Sequence, residues 1–326
     1  MPITLAEAKV GMADKVDQQV ADEFRRRSIL LDMLVFDNAV SPGTGGSTLV
    51  YGYTRLKTPS TVAVRELNKE YTPNEAKREE ATAKLIVFGG AYQIDRVIAE
   101  TSGAIDEVEF QIKEKIKAQA NYFHMLTING SSAKTGTGYV TGTFDGLKKM
   151  LAGSDTEYTA KDVDISTSEL LDANYNAFLD ALDAFISKLA ERPDILIMNN
   201  EMLTKVRSAA RRAGYYDRTK NDFGNTVETY NGIKLLDAGD YYDGEKTEQV
   251  IPIETDGTTA IYGVKIGFNA FHGVSLKGDK LISQHLPDFS TAGAVKEGDV
   301  EMVAATVLKN SKMAGVLRGV KIKATE

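Results

Sequence analysis

The chain has 326 residues, 42% hydrophobic and 26% charged, enough apolar content for a sizeable core beneath a solvated surface. Its 39 basic and 46 acidic residues leave a net charge of −7, a balance unsuited to a non-specific grip on phosphate backbones. There is no cysteine, which excludes disulfides, thiolate metal sites and cysteine nucleophiles, and no run approaches the roughly 18 apolar residues of a membrane-spanning helix.

The first 38 residues are expected to form an N-terminal arm, with a helical stripe through Val16, Val20, Phe24 and Leu31. Its start lacks the basic-then-apolar order of a secretory signal. Ser41-Pro42-Gly43-Thr44-Gly45-Gly46 is a loop by composition. Residues 47–58 come next as a predicted strand, with Leu49, Tyr51 and Tyr53 on one face. Residues 59–80 are polar and carry Arg65, Glu66, Lys69, Glu70, Lys77 and Arg78. They hold too little apolar surface for a core of their own. With a second strand predicted at 83–88, the whole reads as a projecting hairpin with a long charged tip.

Residues 102–128 carry the clearest helical signal. Ile105, Val108, Ile112, Ile116, Ala120 and Phe123 recur three or four apart, Ser102 is placed to cap the start, and Asn129-Gly130 supplies the stop. Such a helix would reach about 40 Å. A glycine- and threonine-rich loop spans 131–142, and Phe144, Leu147 and Leu151 mark a short helix. A second long helix is expected from Ser166, where Ser166 and Glu169 form a capping-box pair, to Pro193. Its stripe is Leu171, Tyr175, Phe178, Leu182, Phe185 and Leu189. Ile195-Leu196-Ile197-Met198 reads as a buried strand, followed by a helix over 201–213 capped by Gly214. Strands are predicted at 232–236, 250–253, 259–267, 273–277, 300–308 and 315–323. Helices in the middle and strands at the end define an α+β chain.

The sequence carries no recognisable catalytic, cofactor or metal set. His124, His272 and His285 stand at no metal-ligand spacing, and His124 beside Phe123 reads as a packed or capping histidine. The glycines at 43, 45 and 46 lack the lysine of a phosphate loop and stand between helix and strand in the wrong order. Asp155, Glu157, Asp162 and Asp164 read as a solvated loop. Arg207, Arg211 and Arg212 lay a basic stripe on one helix, either solvated or paired with a neighbouring copy.

Several phrases, in order, resemble the major capsid proteins of tailed bacteriophages, whose fold is shared with encapsulins and the herpesvirus capsid floor. Phe88-Gly89-Gly90-Ala91-Tyr92-Gln93-Ile94 resembles the return from the family's extended loop, and 106–126 its spine helix. Asn129-Gly130 and Gly142-Thr143-Phe144-Asp145-Gly146-Leu147 resemble the stop after the spine and the entry to the next helix. Asp194-Ile195-Leu196-Ile197-Met198-Asn199 resembles the core of the axial domain, and Asn231-Gly232-Ile233-Lys234 its glycine turn before a strand. The resemblance implies an arm (1–38), an extended hairpin (39–88), a peripheral domain with the spine helix (89–160), an axial domain (161–285) and terminal strands returning to both (286–326). It implies a non-enzymatic subunit that assembles with itself as hexamers and pentamers into an icosahedral virion shell in the host cytoplasm. Double-stranded DNA would be enclosed without sequence-specific binding, and a portal and a separate scaffolding protein would be partners. Arg65, Glu66, Lys69, Glu70, Lys77, Arg78, Arg207 and Arg211 are the candidate intersubunit contacts. Some family members crosslink a hairpin lysine to an asparagine, for which Lys57, Lys69, Lys77 and Asn310 are the positions here. The alternatives are an encapsulin-like compartment and an α/β metabolic enzyme.

Overall fold

The computed structural model describes residues 30, 33–38, 49–58, 60–101, 107–134, 138–214, 217–220, 226–276 and 282–324. The predicted arm stripe of Val16, Val20, Phe24 and Leu31, the 41–46 loop, the Ser102 cap and Ile105 lie outside them.

In chain order, β1 (Phe36–Asp37) precedes the long hairpin of β2 (Val50–Thr58) and β3 (Lys77–Lys84), and β4 (Ile86–Asp95) comes almost at once after it. Next come α1 (Arg96–Thr101), the long helix α2 (Glu107–Asn129), β5 (Gly130–Ser131), β6 (Val140–Thr141), α3 (Leu147–Met150) and β7 (Glu157–Thr159). The central unit holds α4 (Ser168–Ser187), β8 (Ile195–Met198), α5 (Asn200–Arg212), β9 (Asp217–Lys220), β10 (Thr226–Tyr230) and β11 (Ile233–Asp237). The last third is β12 (Asp240–Tyr242), β13 (Thr247–Gln249), β14 (Thr258–Val264), β15 (Phe271–Ser275), β16 (Ile282–His285), β17 (Val295–Leu308) and β18 (Ala314–Lys321).

Two sheets organise these elements. In the first, β17 pairs antiparallel with β4 from Val295↔Asp95 to Ala304↔Ile86, and also with β15 and β16, while β1 adds parallel to β15. Along the first half of β17 side chains alternate, Lys296, Gly298, Val300 and Met302 inward and Val295, Glu297, Asp299 and Glu301 outward. The helix α2 lies on this sheet. Gln119 donates from Nε2 to the Phe88 carbonyl at 2.8 Å, and Phe123 stacks on Phe88 at 5.9 Å while also meeting Phe36 and Phe144.

The second sheet runs β7-β18-β14-β8-β11-β10-β9. Its strand β8 is buried on both faces, which explains its unbroken apolar run. Ile195 and Ile197 enter the core that α2 and the first sheet share, and Leu196 and Met198 enter a second core beneath α4 and α5. The step from β8 through α5 to the parallel strand β11 is the crossover that such pairing requires. Asn199 starts α5: its Oδ1 accepts from the Met202 N–H at 2.8 Å, and its Nδ2 donates to the Ile251 carbonyl and to Thr259 Oγ1.

The α+β reading holds, with corrections at its edges. The strand predicted at 83–88 is two strands broken at buried Leu85. Pairing with β2 carries β3 out to charged Lys77, where apolar content gives no sign of a strand. The helix α4 is capped by Thr167, which accepts from Leu170 N, in place of the Ser166–Glu169 box, because the Ser166 N–H is held by Asp164. It ends at Ser187, six residues before Pro193, where Lys188 turns the chain. Residues 250–253 form no strand; Val250 and Ile251 are buried from a loop. Asn310 caps a 3-10 turn between β17 and β18 and so lies in neither terminal strand. The spacing of apolar residues describes the first half of α2 but not its end, where 123–128 are buried all round by both sheets and α3.

Candidate assembly surfaces

Among the described residues, the tip of the β2–β3 hairpin stands clear of the body. Every residue from 60 to 80 is exposed, and Val62, Val64 and Leu67 stand 101%, 100% and 90% accessible. Three apolar side chains wholly in water in one segment are a cost to an isolated chain and an asset to one that is covered on assembly. The tip nevertheless has internal order. Asn74 Nδ2 donates to Thr61 Oγ1 at 2.8 Å across the two arms. A turn from Glu66 to Lys69 places Asn68 at φ +66°, a left-handed conformation that asparagine tolerates.

The predicted contact residues divide by environment. Arg65, Glu66 and Lys69 serve the tip itself: Arg65 donates to the Lys69 carbonyl at 3.2 Å and lies over the Tyr71 ring, and Lys69 pairs with Glu66. Glu70, Lys77 and Arg78 are exposed along the same hairpin. Arg207 pairs with Glu228 of its own chain, Arg212 with Asp172, and Arg211 donates to Ser208 Oγ at 3.2 Å. Arg207 therefore ties α5 to β10 and Arg212 ties it to α4 before the stripe offers anything outward. Of the predicted acidic loop, Glu157 lies in β7 and pairs with Arg318 at 2.6 Å, and Asp164 lies 3.9 Å from Lys321. Both are structural partners of β18, a correction to the solvated-loop reading.

The root of the hairpin was invisible to sequence reasoning. Tyr51 donates to Asp37 Oδ2 at 2.9 Å, its ring meets the His272 ring edge-on at 6.0 Å, and the Lys309 ammonium lies 5.6 Å from the same ring. Burial and the Asp37 carboxylate raise the Tyr51 phenol well above its usual range. Arg55 reaches from β2 to the Leu308 carbonyl at 2.7 Å. No local signal in the sequence joins positions 37, 51, 272 and 309.

The other histidines fit no ligand set. His124 is wholly buried in α2, where desolvation pushes it down to about 4, and His285 is exposed on β16 opposite Asp299. Among the described residues no three His, Asp or Glu side chains converge as a metal site. An open cleft of about 690 Å³ at the end of α2 is lined by Tyr139, Glu201, Tyr241, Glu248 and Glu254 among others. Within it Glu248 is tied to the Tyr241 hydroxyl and to Lys246.

No family model matches the chain, and no curated protein matches it. Solved structures do. The holo-SrpI encapsulin complex of Synechococcus elongatus superposes with a TM-score of 0.62 at 14% identity, covering 97% of this chain and 95% of that one. A structure from Mycobacterium phage Cain gives 0.58 at 11% identity over 100% of both chains. The capsid of the myovirid phage XM1 gives 0.55 at 12% identity over 95% and 98%. The fold is thus the one found in tailed-phage capsids and encapsulins, along nearly the whole length of the chain.

Proposed function

We propose that this chain is the major shell subunit of a tailed-phage capsid, acting by self-assembly and not by catalysis. One observation carries the reading: a hairpin of more than 20 residues, ordered within itself, holds fully exposed valines and a leucine that nothing among the described residues covers. A closed assembly repeats modest interfaces by symmetry, and a projecting arm of this kind contributes contact to a neighbour without a core of its own. The capsid fold supports the reading, since shell subunits are what the similar solved chains are. The division proposed is an arm over 1–38, the hairpin over 39–88, a peripheral unit over 89–160, an axial unit over 161–285 and returning strands over 286–326. Hexamers and pentamers, a portal, enclosed double-stranded DNA and a virion location are parts of the same proposal. The exposed Glu70, Lys77 and Arg78 are its contact residues on the hairpin, and Arg211 on α5.

The encapsulin likeness favours one second reading, an encapsulin-like compartment. Electron microscopy of the purified protein tests both, with shells or capsomer rings expected. A small oligomer of ordinary enzyme size at every concentration would refute the shell role. Nuclease-protected DNA in native particles selects the capsid, and a protein cargo selects the compartment.

A further inference from the structure

His272 sits at the root of the hairpin with no exposed surface, and neither ring nitrogen has a hydrogen-bond partner in good geometry among the described residues. An imidazole buried in that way carries a desolvation cost that the packing around it must offset. The Tyr51 ring from β2 stands edge-on at 6.0 Å, and the Phe268 ring at the same distance closes another side. One residue on, Gly273 pairs with Phe36, and a Cβ there would lie 2.4 Å from the Phe36 ring, so the arm strand β1 sits directly against the backbone of β15. The charged and titratable groups facing this point are Asp37 from β1, Tyr51 from β2 and Lys309 beyond the end of β17, with Arg55 further along β2 on the Leu308 carbonyl.

We propose that His272 is a protonation-sensitive clasp, holding the hairpin root and the arm strand on the first sheet while neutral and releasing them when it takes a proton. A buried imidazolium would have only the poorly aligned Ala270 carbonyl as an acceptor and would face the Lys309 ammonium. Burial first, and Lys309 second, hold this imidazole below its usual range, and Asp37 and the Ala270 carbonyl oppose them. Linkage fixes the sign. A base depressed in the folded state leaves the packed arrangement intact above the ordinary histidine pKa of about 6.5, and weakens it as pH falls below that value. The elements that give way are those touching the ring with least core behind them, namely β1 and the start of β2. The clasp rests on the shell reading only for its use, since a releasable hairpin matters to a protein that is covered by neighbours.

Hydrogen exchange by mass spectrometry on the unassembled full chain, corrected for intrinsic rates, tests it at pH 7.5 and pH 5.5. Amides in 33–38 and 49–56 are expected to exchange up to about tenfold faster at the lower pH, in a His124→Leu background as in the wild type, since that variant removes the buried imidazole of α2 as a second source of acid sensitivity. His272→Phe keeps a flat ring between Tyr51 and Phe268 and is expected to abolish the difference. Lys309→Gln removes the cation, brings the packed imidazole closer to its ordinary range and should shrink the difference between the two pH values. Equal protection at both pH values in the wild type, a full response persisting in His272→Phe, or an undiminished response in Lys309→Gln would each overturn the clasp. Because no shell is needed, failure to assemble would count against the function and leave this result standing.

Discussion

Phe123 lies where α2, β4, β1 and the loop before α3 meet, and its ring touches those of Phe36, Phe88 and Phe144. Phe123→Ala would open a cavity bounded by rigid backbone on several sides and is expected to cost about 3–5 kcal/mol in a urea titration. The next residue gives a pH prediction. His124 is held neutral at about 4 by burial, so below about 6.5 the unfolded chain binds a proton that the folded chain refuses. Stability should fall by about 2 kcal/mol between pH 7 and pH 5 from this group alone, and level off below pH 4. In His124→Leu, urea midpoints measured at pH 7 and pH 5 should differ by less than in the wild type. Neither role is evident from residue type. Phe123 and His124 are neighbours on one helix, and both are buried because two sheets close around the end of it.

At the scale of elements, Asn199 does two jobs, capping α5 and bonding the 251–259 segment through its amide. Asn199→Ala is expected to cost about 2 kcal/mol, more than a surface cap, because the Ile251 carbonyl and Thr259 would lose a buried partner. Thermal denaturation of the variant should show it, with Asn199→Asp recovering only the cap. Gly89 marks the other joint. A Cβ there would stand 2.1 Å from the Val300 carbonyl, so Gly89→Ala should disrupt the β4–β17 pairing, seen as lost amide protection along 86–95. Elements with strong periodicity were legible in the sequence: α4, β8 and α5 lie within a few residues of their predicted places. The β3 strand was not, because its first four residues are charged and exposed and only backbone pairing with β2 makes them a strand. The β12–β13 and β9–β10 hairpins likewise carried no apolar alternation to find.

At the scale of the whole molecule, replacing 60–76 by a two-residue turn should leave circular dichroism and the melting transition of the monomer nearly unchanged, since that stretch contributes nothing to either core. On the proposed shell reading, sedimentation of the shortened chain should show no shells. Normal particles from the shortened chain would remove the hairpin from the assembly surface.

By itself the amino-acid sequence determined the α+β character, the long helix, the buried β8 strand and the polar hairpin, since each is written in a local period or in its absence over a continuous stretch. Tertiary structure alone decided which residues meet. The Asp37–Tyr51–His272–Lys309 cluster and the sheet wall shared by two cores join positions far apart in the chain. Burial and pairing across such separations depend on how the sheets stack, and no local pattern of side chains encodes that.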